Sequence, residues 1–481
     1  MGERRWEVGI CGTFDVANYG DLLFPLIAEL ELRERLGEVK VHRFSYHTKA
    51  PPAWAYEVTS VSSLPEIVHR LDGLLIGGGF LIRFDKDVAP GYSPPTPGIH
   101  HPTGYWLTPA LIALQNNVPL IWNAPGMHCN DVPPWAIPLL ERALTLSSYI
   151  SVRDEPSRLA MARLTSAPVT VTPDTAFALT RLLELDAPPS PEYQRLCESS
   201  GLKSPYVLVQ ATQGLEGFAR FVRKHREQLG NLQFLALPIG PVLGEREDNI
   251  DAGPTGVVRL SEWPRPLAIA ELIGRSEAVV GHSYHLFITA LTSGVPIFTK
   301  HNLATGKYCA LQHFDTIFSL PADGEPQPDW FLTRLGRKPP SAAVLATYPP
   351  LASHWDRVAD ILRSGPTLTS IAMNRFLQTL PTLLEDAEIS TAGSVGTLAS
   401  EQAEYGQHLA EAERKLAAAN VKQMEQQARL DNVKRQLSSA CAEIALRDAH
   451  IAAILASASW RLTKPIRVIQ RQLRKQEDGI C

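Results

Sequence analysis

The stretch AVVGHSYHLFITALTSGVPIF, residues 278–298, decides the fold. Ala278 to Gly281 is a short apolar run of the kind that forms a buried strand. His282, Ser283, Tyr284 and His285 stand where that strand ends, and Leu286 to Ser293 reads as a helix. Gly294-Val295-Pro296 then starts the next strand. This order predicts His285 at or near a helix N-terminus, at the carboxyl end of a parallel strand. Open α/β sheets bind ligands at that edge, and helix N-termini attract anions. The stretch therefore predicts an anionic group held beside an imidazole.

Outward from it, strand-like runs alternate with amphipathic helical ones. VGICGTF (8–14), LDGLLIGG (71–78), VPLIWNA (118–124) and YISVRD (149–154) are the first strands, with helical segments at 21–36, 133–146 and 156–164 between them. Alternation of this kind argues for parallel sheets with helices on both faces. A Pro-rich polar break at 186–205 is followed by a second series: YVLVQATQ (206–213), QFLALPIG (233–240), VVRLSE (257–262) and the opening stretch. The expected fold class is α/β with two Rossmann-like domains. The expected division is 1–186, a linker at 187–205, and 206–388 with closing helices.

Beyond a small polar linker at 388–395, apolar residues recur every seven: Leu409, Leu416, Leu430, Leu437, Ile444 and Ile451, with Gln423 interrupting. Residues 398–456 are expected to form a long helix or coiled coil, a route to a homo-oligomer; a solvated single helix fits the same pattern. The tail, 457–481, holds Arg461, Lys464, Arg467, Arg471, Arg474 and Lys475 among Trp460, Leu462, Ile466, Ile469 and Leu473. A basic amphipathic helix of this kind can lie on an anionic membrane surface, or pack on its own protein.

At 481 residues the chain exceeds one core, and its net charge of −4 argues against nucleic-acid binding. Met1 to Trp6 lead into a strand with no signal-peptide core, and no apolar run is long enough to span a bilayer. A cytoplasmic protein is expected, with the inner face of the membrane as a further station. Six scattered cysteines show no CxxC pairing. His100-His101 and His128-Cys129 lack a second pair at useful spacing, so no metal and no cofactor are expected.

Several short constellations can carry chemistry. Asn18, Gly20 and Asp21 sit in GTFDVANYGDLL (12–23) between the first strand and helix. Asn18 or Asp21 can cap that helix, or the loop can face substrate. Gly77, Gly78 and Gly79 leave bare backbone at a strand's carboxyl end, suited to a ligand, an anion nest or close helix packing. Arg153 ends a strand in SVRDEPSRL; it can grip an anion at two points or pair with Asp154, Glu155 or Asp174. Asp174 reads as a helix cap. His285 can exchange a proton near neutral pH, and Lys307 can contact an anion or lie in solvent.

In this order, N-Y-G-D (18–21), D-G-L-L-I-G-G-G (72–79), S-V-R-D (151–154), P-D-T-A-F (173–177) and G-x-x-x-H with A-L-x-x-G-V-P (281–296) resemble the polysaccharide pyruvyl transferase family. The resemblance covers about residues 8–310. It implies a GT-B-like pair of domains and transfer of a pyruvyl group from phosphoenolpyruvate to two hydroxyls of a saccharide, free or lipid-linked. It also implies His285 as the acid and Arg153 as a holder of the donor's anionic groups.

One departure stands out. The family usually reads G-x-R-L-H, and here Ser283 and Tyr284 replace arginine and leucine. One lost charge-assisted bond in a desolvated site costs about 1.5–3 kcal/mol, or tenfold to a hundredfold in binding. His282, when protonated, would restore that charge. The alternatives are a nucleotide-sugar-dependent glycosyltransferase and a catalytically degenerate sugar-binding scaffold. The tail also resembles S-x-S-W-R-L-T-x-P-L-R, a segment that follows coiled coils in bacterial surface-polysaccharide enzymes.

Overall fold

The computed structural model describes residues 4–84, 102–127, 132–250, 257–366, 370–457 and 461–477. The chain divides into two compact units, Met1–Thr391 and Ala392–Cys481. The first unit holds two sheets in which every strand pair is parallel.

The first sheet contains β1 (Trp6–Cys11), β2 (Val39–Ser45), β3 (Thr59–Ser60), β4 (Gly73–Ile76), β5 (Leu120–Trp122), β6 (Tyr149–Val152) and β7 (Val169–Val171). Their order is β3-β2-β1-β4-β5-β6-β7. The second contains β8 (Tyr206–Gln210), β9 (Gln233–Leu237), β10 (Val257–Arg259), β11 (Ala278–Val280), β12 (Ile297–Thr299) and β13 (Ile317–Ser319), in the order β10-β9-β8-β11-β12-β13. Central strands such as GLLI in β4 and YVLVQ in β8 are buried along their whole length, as strands covered on both faces must be. This is the expected α/β class with two Rossmann-like sheets.

Each sheet reverses its winding once, between β1 and β4 and between β8 and β11. Such switch points open a crevice at the strands' carboxyl ends. Gly77–Gly79 follow β4 and His282–His285 follow β11, so both loops singled out in the sequence lie at switch points.

Tyr19–Leu36 is the first helix, and Asn18 is its N-cap residue, but the Asn18 side chain makes no capping bond. That corrects the capping expectation for Asn18. A tertiary contact takes the place of the cap: the Tyr19 N–H donates to Ile239 O at 2.9 Å, across to the second sheet's side. Asp154 and Asp174 do cap, accepting from Ser157 N (2.8 Å) and Ala176 N (3.0 Å).

The helix Tyr348–Ser364 returns to the first sheet's elements. Arg35 pairs with Asp356 at 2.7 Å, and the His354 Nε2–Asn123 Oδ1 distance is 2.9 Å. Burial, with the Arg35 charge nearby, pushes the His354 imidazole down to about 3, so it stays neutral inside. Leu362 packs on Gly73, where an added Cβ would stand 2.3 Å from its Cδ2.

The linker expected at 388–395 is not a break. One helix runs Ser370–Ala456, because the Ser/Thr/Ala/Gly run there lacks proline and keeps helical backbone. In the second unit Leu430, Leu437, Ile444 and Ile451 are exposed, and a further helix spans Lys464–Glu477. No helix among the described residues is long and apolar enough to cross a membrane.

The fold generates a direct test at Gly294. This residue ends the Tyr284–Ser293 helix at φ +72°, and a Cβ would sit 1.6 Å from the Lys338 carbonyl oxygen. Gly294→Ala is expected to lose about 2–5 kcal/mol, from left-handed strain plus overpacking. Urea unfolding measures this, and an unchanged midpoint would contradict it.

Candidate active site

Residues from the two sheets meet around one carboxylate. Asp174 is fully buried after β7, and Arg153 follows β6 in the same sheet. The Arg153 Nη1–Asp174 Oδ2 distance is 3.3 Å, and Arg153 Nε lies 3.4 Å from Asp154 Oδ2. From the second sheet's switch point, His285 brings Nε2 to 3.6 Å from the same Asp174 oxygen. That is ion-pair reach but longer than a hydrogen bond, and His285 Nε2 is buried with no hydrogen-bond partner. Burial alone would raise the Asp174 carboxyl, but His285 and Arg153 outweigh it and hold it below its ordinary 3.8.

Arg153 is not saturated by these carboxylates. Its side chain is 1% exposed, and Nη2 makes no hydrogen bond. The guanidinium lies between aromatic faces, 5.0 Å from the ring centres of both Phe80 and Tyr284. An Nη2–H left bare in an apolar surround costs free energy until an acceptor arrives.

Lys307 belongs to the same group. It opens the 3₁₀ turn Gly306–Leu311, with Nζ 5.8 Å from the Tyr284 ring centre and 5.9 Å from that of Phe80. Burial and the Arg153 charge push its ammonium down to about 8, with Asp21 and Asp174 opposing. So Lys307 still carries its proton at neutral pH, in a place where losing it is easy.

Gly20 explains how the imidazole fits. It lies in the first turn of the Tyr19–Leu36 helix, and a Cβ there would stand 1.8 Å from His285 Nδ1. The His285 ring also meets Phe24 edge-on at 5.3 Å. Gly78 and Gly79 pack against Phe24, and Gly79, at φ +81°, also approaches Asp21 Oδ1. Gly77 is pressed against the Cys11 carbonyl. The glycine loop therefore serves close packing around the helix that carries Gly20 and Asp21.

The loop before His285 is fixed by a buried polar chain absent from the sequence reading. Gln210 Oε1 accepts from His282 N (2.7 Å) and Ser283 N (2.8 Å). Gln210 Nε2 donates to Glu245 Oε1 at 2.5 Å, and Glu245 Oε2 accepts from Ile239 N and Gly240 N. Burial pushes the Glu245 carboxyl up, and these bonds offset part of that. The N–H groups of residues 282 and 283 thus face a neutral amide oxygen rather than a bound anion. Ser283 is the helix N-cap residue without a side-chain capping bond.

Burial, then the charges of His301 and Lys300, hold the His282 pKa below 6.5, which works against its charged form. Its Nδ1 lies 3.3 Å from Thr299 Oγ1. No metal-binding group of three or more His, Cys, Asp or Glu occurs among the described residues. His100, His101, His128 and Cys129 lie outside them.

Gly20→Ala is expected to displace the His285 ring and break its contact with Asp174. A crystal structure of the variant checks this. A His285 Nε2–Asp174 Oδ2 distance unchanged from 3.6 Å would contradict it.

The backbone is similar to those of UDP-GlcNAc 2-epimerases. The enzyme from Methanocaldococcus jannaschii aligns at 12% identity over 75% of this chain and 100% of its own, with a TM-score of 0.48. The Neisseria meningitidis enzyme, bound to UDP-GlcNAc, aligns at 12% identity over 79% of this chain and 100% of its own, TM-score 0.46. No curated protein matches the sequence. The family model for polysaccharide pyruvyl transferases matches residues 18–299, a span that runs across both sheets and includes Gly20, Arg153, Asp174 and His285. By that match the chain belongs to the polysaccharide pyruvyl transferase family.

Proposed function

We propose that the protein transfers a pyruvyl group from phosphoenolpyruvate to two hydroxyls of a saccharide, forming a cyclic ketal and releasing phosphate. The observation that carries this reading is a pair of cations, the buried Arg153 with Nη2 unpartnered and the half-buried Lys307, both against the Phe80 and Tyr284 rings in the cluster that holds His285. Phosphoenolpyruvate presents a phosphate and a carboxylate on a three-carbon frame. Arg153 offers a planar fork to one of these groups and Lys307 a point charge to the other.

In this reading His285 gives a proton to the donor's methylene carbon, which becomes the methyl group. Positive charge develops at the central carbon, and the first saccharide hydroxyl adds there and loses its proton. The C–O bond to phosphate then breaks, and the second hydroxyl closes the ring with loss of its proton. Asp174, 3.6 Å from His285 Nε2, helps to fix the position of the ring. Lys307, one turn into a loop beyond β12, takes over the charge that the family's arginine would have supplied at Ser283.

His285→Ala is expected to abolish phosphate release from phosphoenolpyruvate with an acceptor from the host polysaccharide repeat, while circular dichroism shows the variant still folded. Retained turnover would remove His285 from the acid role. Thermal-shift titration separates the donors: phosphoenolpyruvate should stabilise the protein and UDP-sugars should not, and the reverse result would favour glycosyl transfer.

The Lys307 ammonium supplies a second test. Its folded pKa of about 8 lies below the ordinary 10.5, and a bound anion favours the charged form. Phosphoenolpyruvate affinity should therefore be steady below pH 8 and fall above it. Lys307→Ala should weaken binding tenfold to a hundredfold, about 1.5–3 kcal/mol, and flatten that alkaline fall. Calorimetry across pH reads both, and a pH-independent affinity in the parent protein would contradict the assignment.

A further inference from the structure

The second unit ends in a helix, Lys464–Glu477, whose sequence KPIRVIQRQLRKQE divides into two opposed faces. Ile466, Ile469 and Leu473 follow the 3-4 spacing that aligns residues along one side, and Leu462 stands one turn earlier. Leu462, Ile466 and Ile469 are all exposed, Leu462 at 79%. By the 3.6-residue period, Lys464, Arg467, Arg471, Arg474 and Lys475 fall on the opposite side. Five basic residues stand against a single acid, Glu477.

We propose that this helix binds the surface of a membrane containing anionic phospholipid. The charge arrangement chooses lipid over a protein groove. A groove deep enough to cover the apolar stripe would leave the basic face in water, with no acidic surface to meet. At a bilayer the apolar stripe sinks below the headgroups, and the long lysine and arginine stems reach up to the phosphates on either flank. Each basic residue near an anionic leaflet adds attraction, and salt weakens it. A helix of this length lies in the interface and does not cross.

The inference is independent of the transferase reading, because no residue of the helix takes part in the Arg153–Asp174–His285 cluster.

Flotation of the full-length chain with lipid vesicles tests it. Binding is expected to vesicles of phosphatidylcholine mixed with phosphatidylglycerol, far less to phosphatidylcholine alone, and should fall as salt rises. Arg467→Gln with Arg471→Gln should weaken binding roughly thirtyfold, from about one charge's worth of attraction per residue. Ile466→Ser with Ile469→Ser should weaken it at least tenfold. Both pairs should leave the thermal melt of the first unit unchanged, which separates lost binding from lost folding. Equal binding to both vesicle types, no binding to either, or full binding by either double variant would overturn the proposal.

Discussion

A buried carboxylate, Asp174, organises the chemistry of this molecule. It lies out of water, capping a helical turn through Ala176 N while drawing Arg153 from its own sheet and His285 from the other. A charge in such a place is tolerated only when opposite charge and hydrogen bonds surround it. Its depressed pKa reflects that attraction winning over burial. The consequence is a constraint on both sheets: the end of β6, the end of β7 and the start of the helix after β11 must converge on one point. Asp174 and Asp154 also absorb part of the Arg153 charge. Nη2 is left without a hydrogen-bond partner, with Lys307 against the same aromatic rings.

The rest of the core is arranged to hold that convergence. Gly20 gives the imidazole room against the first helix, and Phe24 closes the ring's edge. The chain Tyr19–Ile239–Glu245–Gln210 ties the same helix N-terminus to the loop before His285. The helix Tyr348–Ser364, reached after the second sheet, packs back on Gly73 and Arg35 of the first sheet's side. The two sheets are thereby joined at the crevice and behind it.

Much of this was legible in the sequence, for a physical reason. Short apolar runs ending in glycine or polar residues are what strands buried on both faces require, so β1, β4, β5, β6, β8, β9, β10 and β11 stood out. Arg153 showed itself by following a strand just before a helix, and His285 by standing at a helix N-terminus after a strand. Asp174 read as a cap and as one of three candidate partners for Arg153; its contact with His285 gave no signal, because it joins residues far apart in the chain. Gln210 and Glu245 gave no signal, since their bonds join residues far apart in the chain. Asn18 and Asp21 were both open as caps of the first helix; the Asn18 side chain makes no capping bond, and the Tyr19 N–H bonds to Ile239 O. Burial works against the protonated His282 that would offset Ser283, and the run at 388–395 continues a helix although its composition is that of a linker. Nothing in local sequence ties Lys307 to Arg153, although both lie against the Tyr284 and Phe80 rings.

A crystal structure with phosphoenolpyruvate bound tests the central claim most directly. It should place an anionic oxygen of the donor within hydrogen-bond reach of Arg153 Nη2, a second anionic group at Lys307 Nζ, and the methylene carbon against the His285 ring. A donor seated away from Asp174 and its two partners, with Arg153 Nη2 still unbonded, would contradict it.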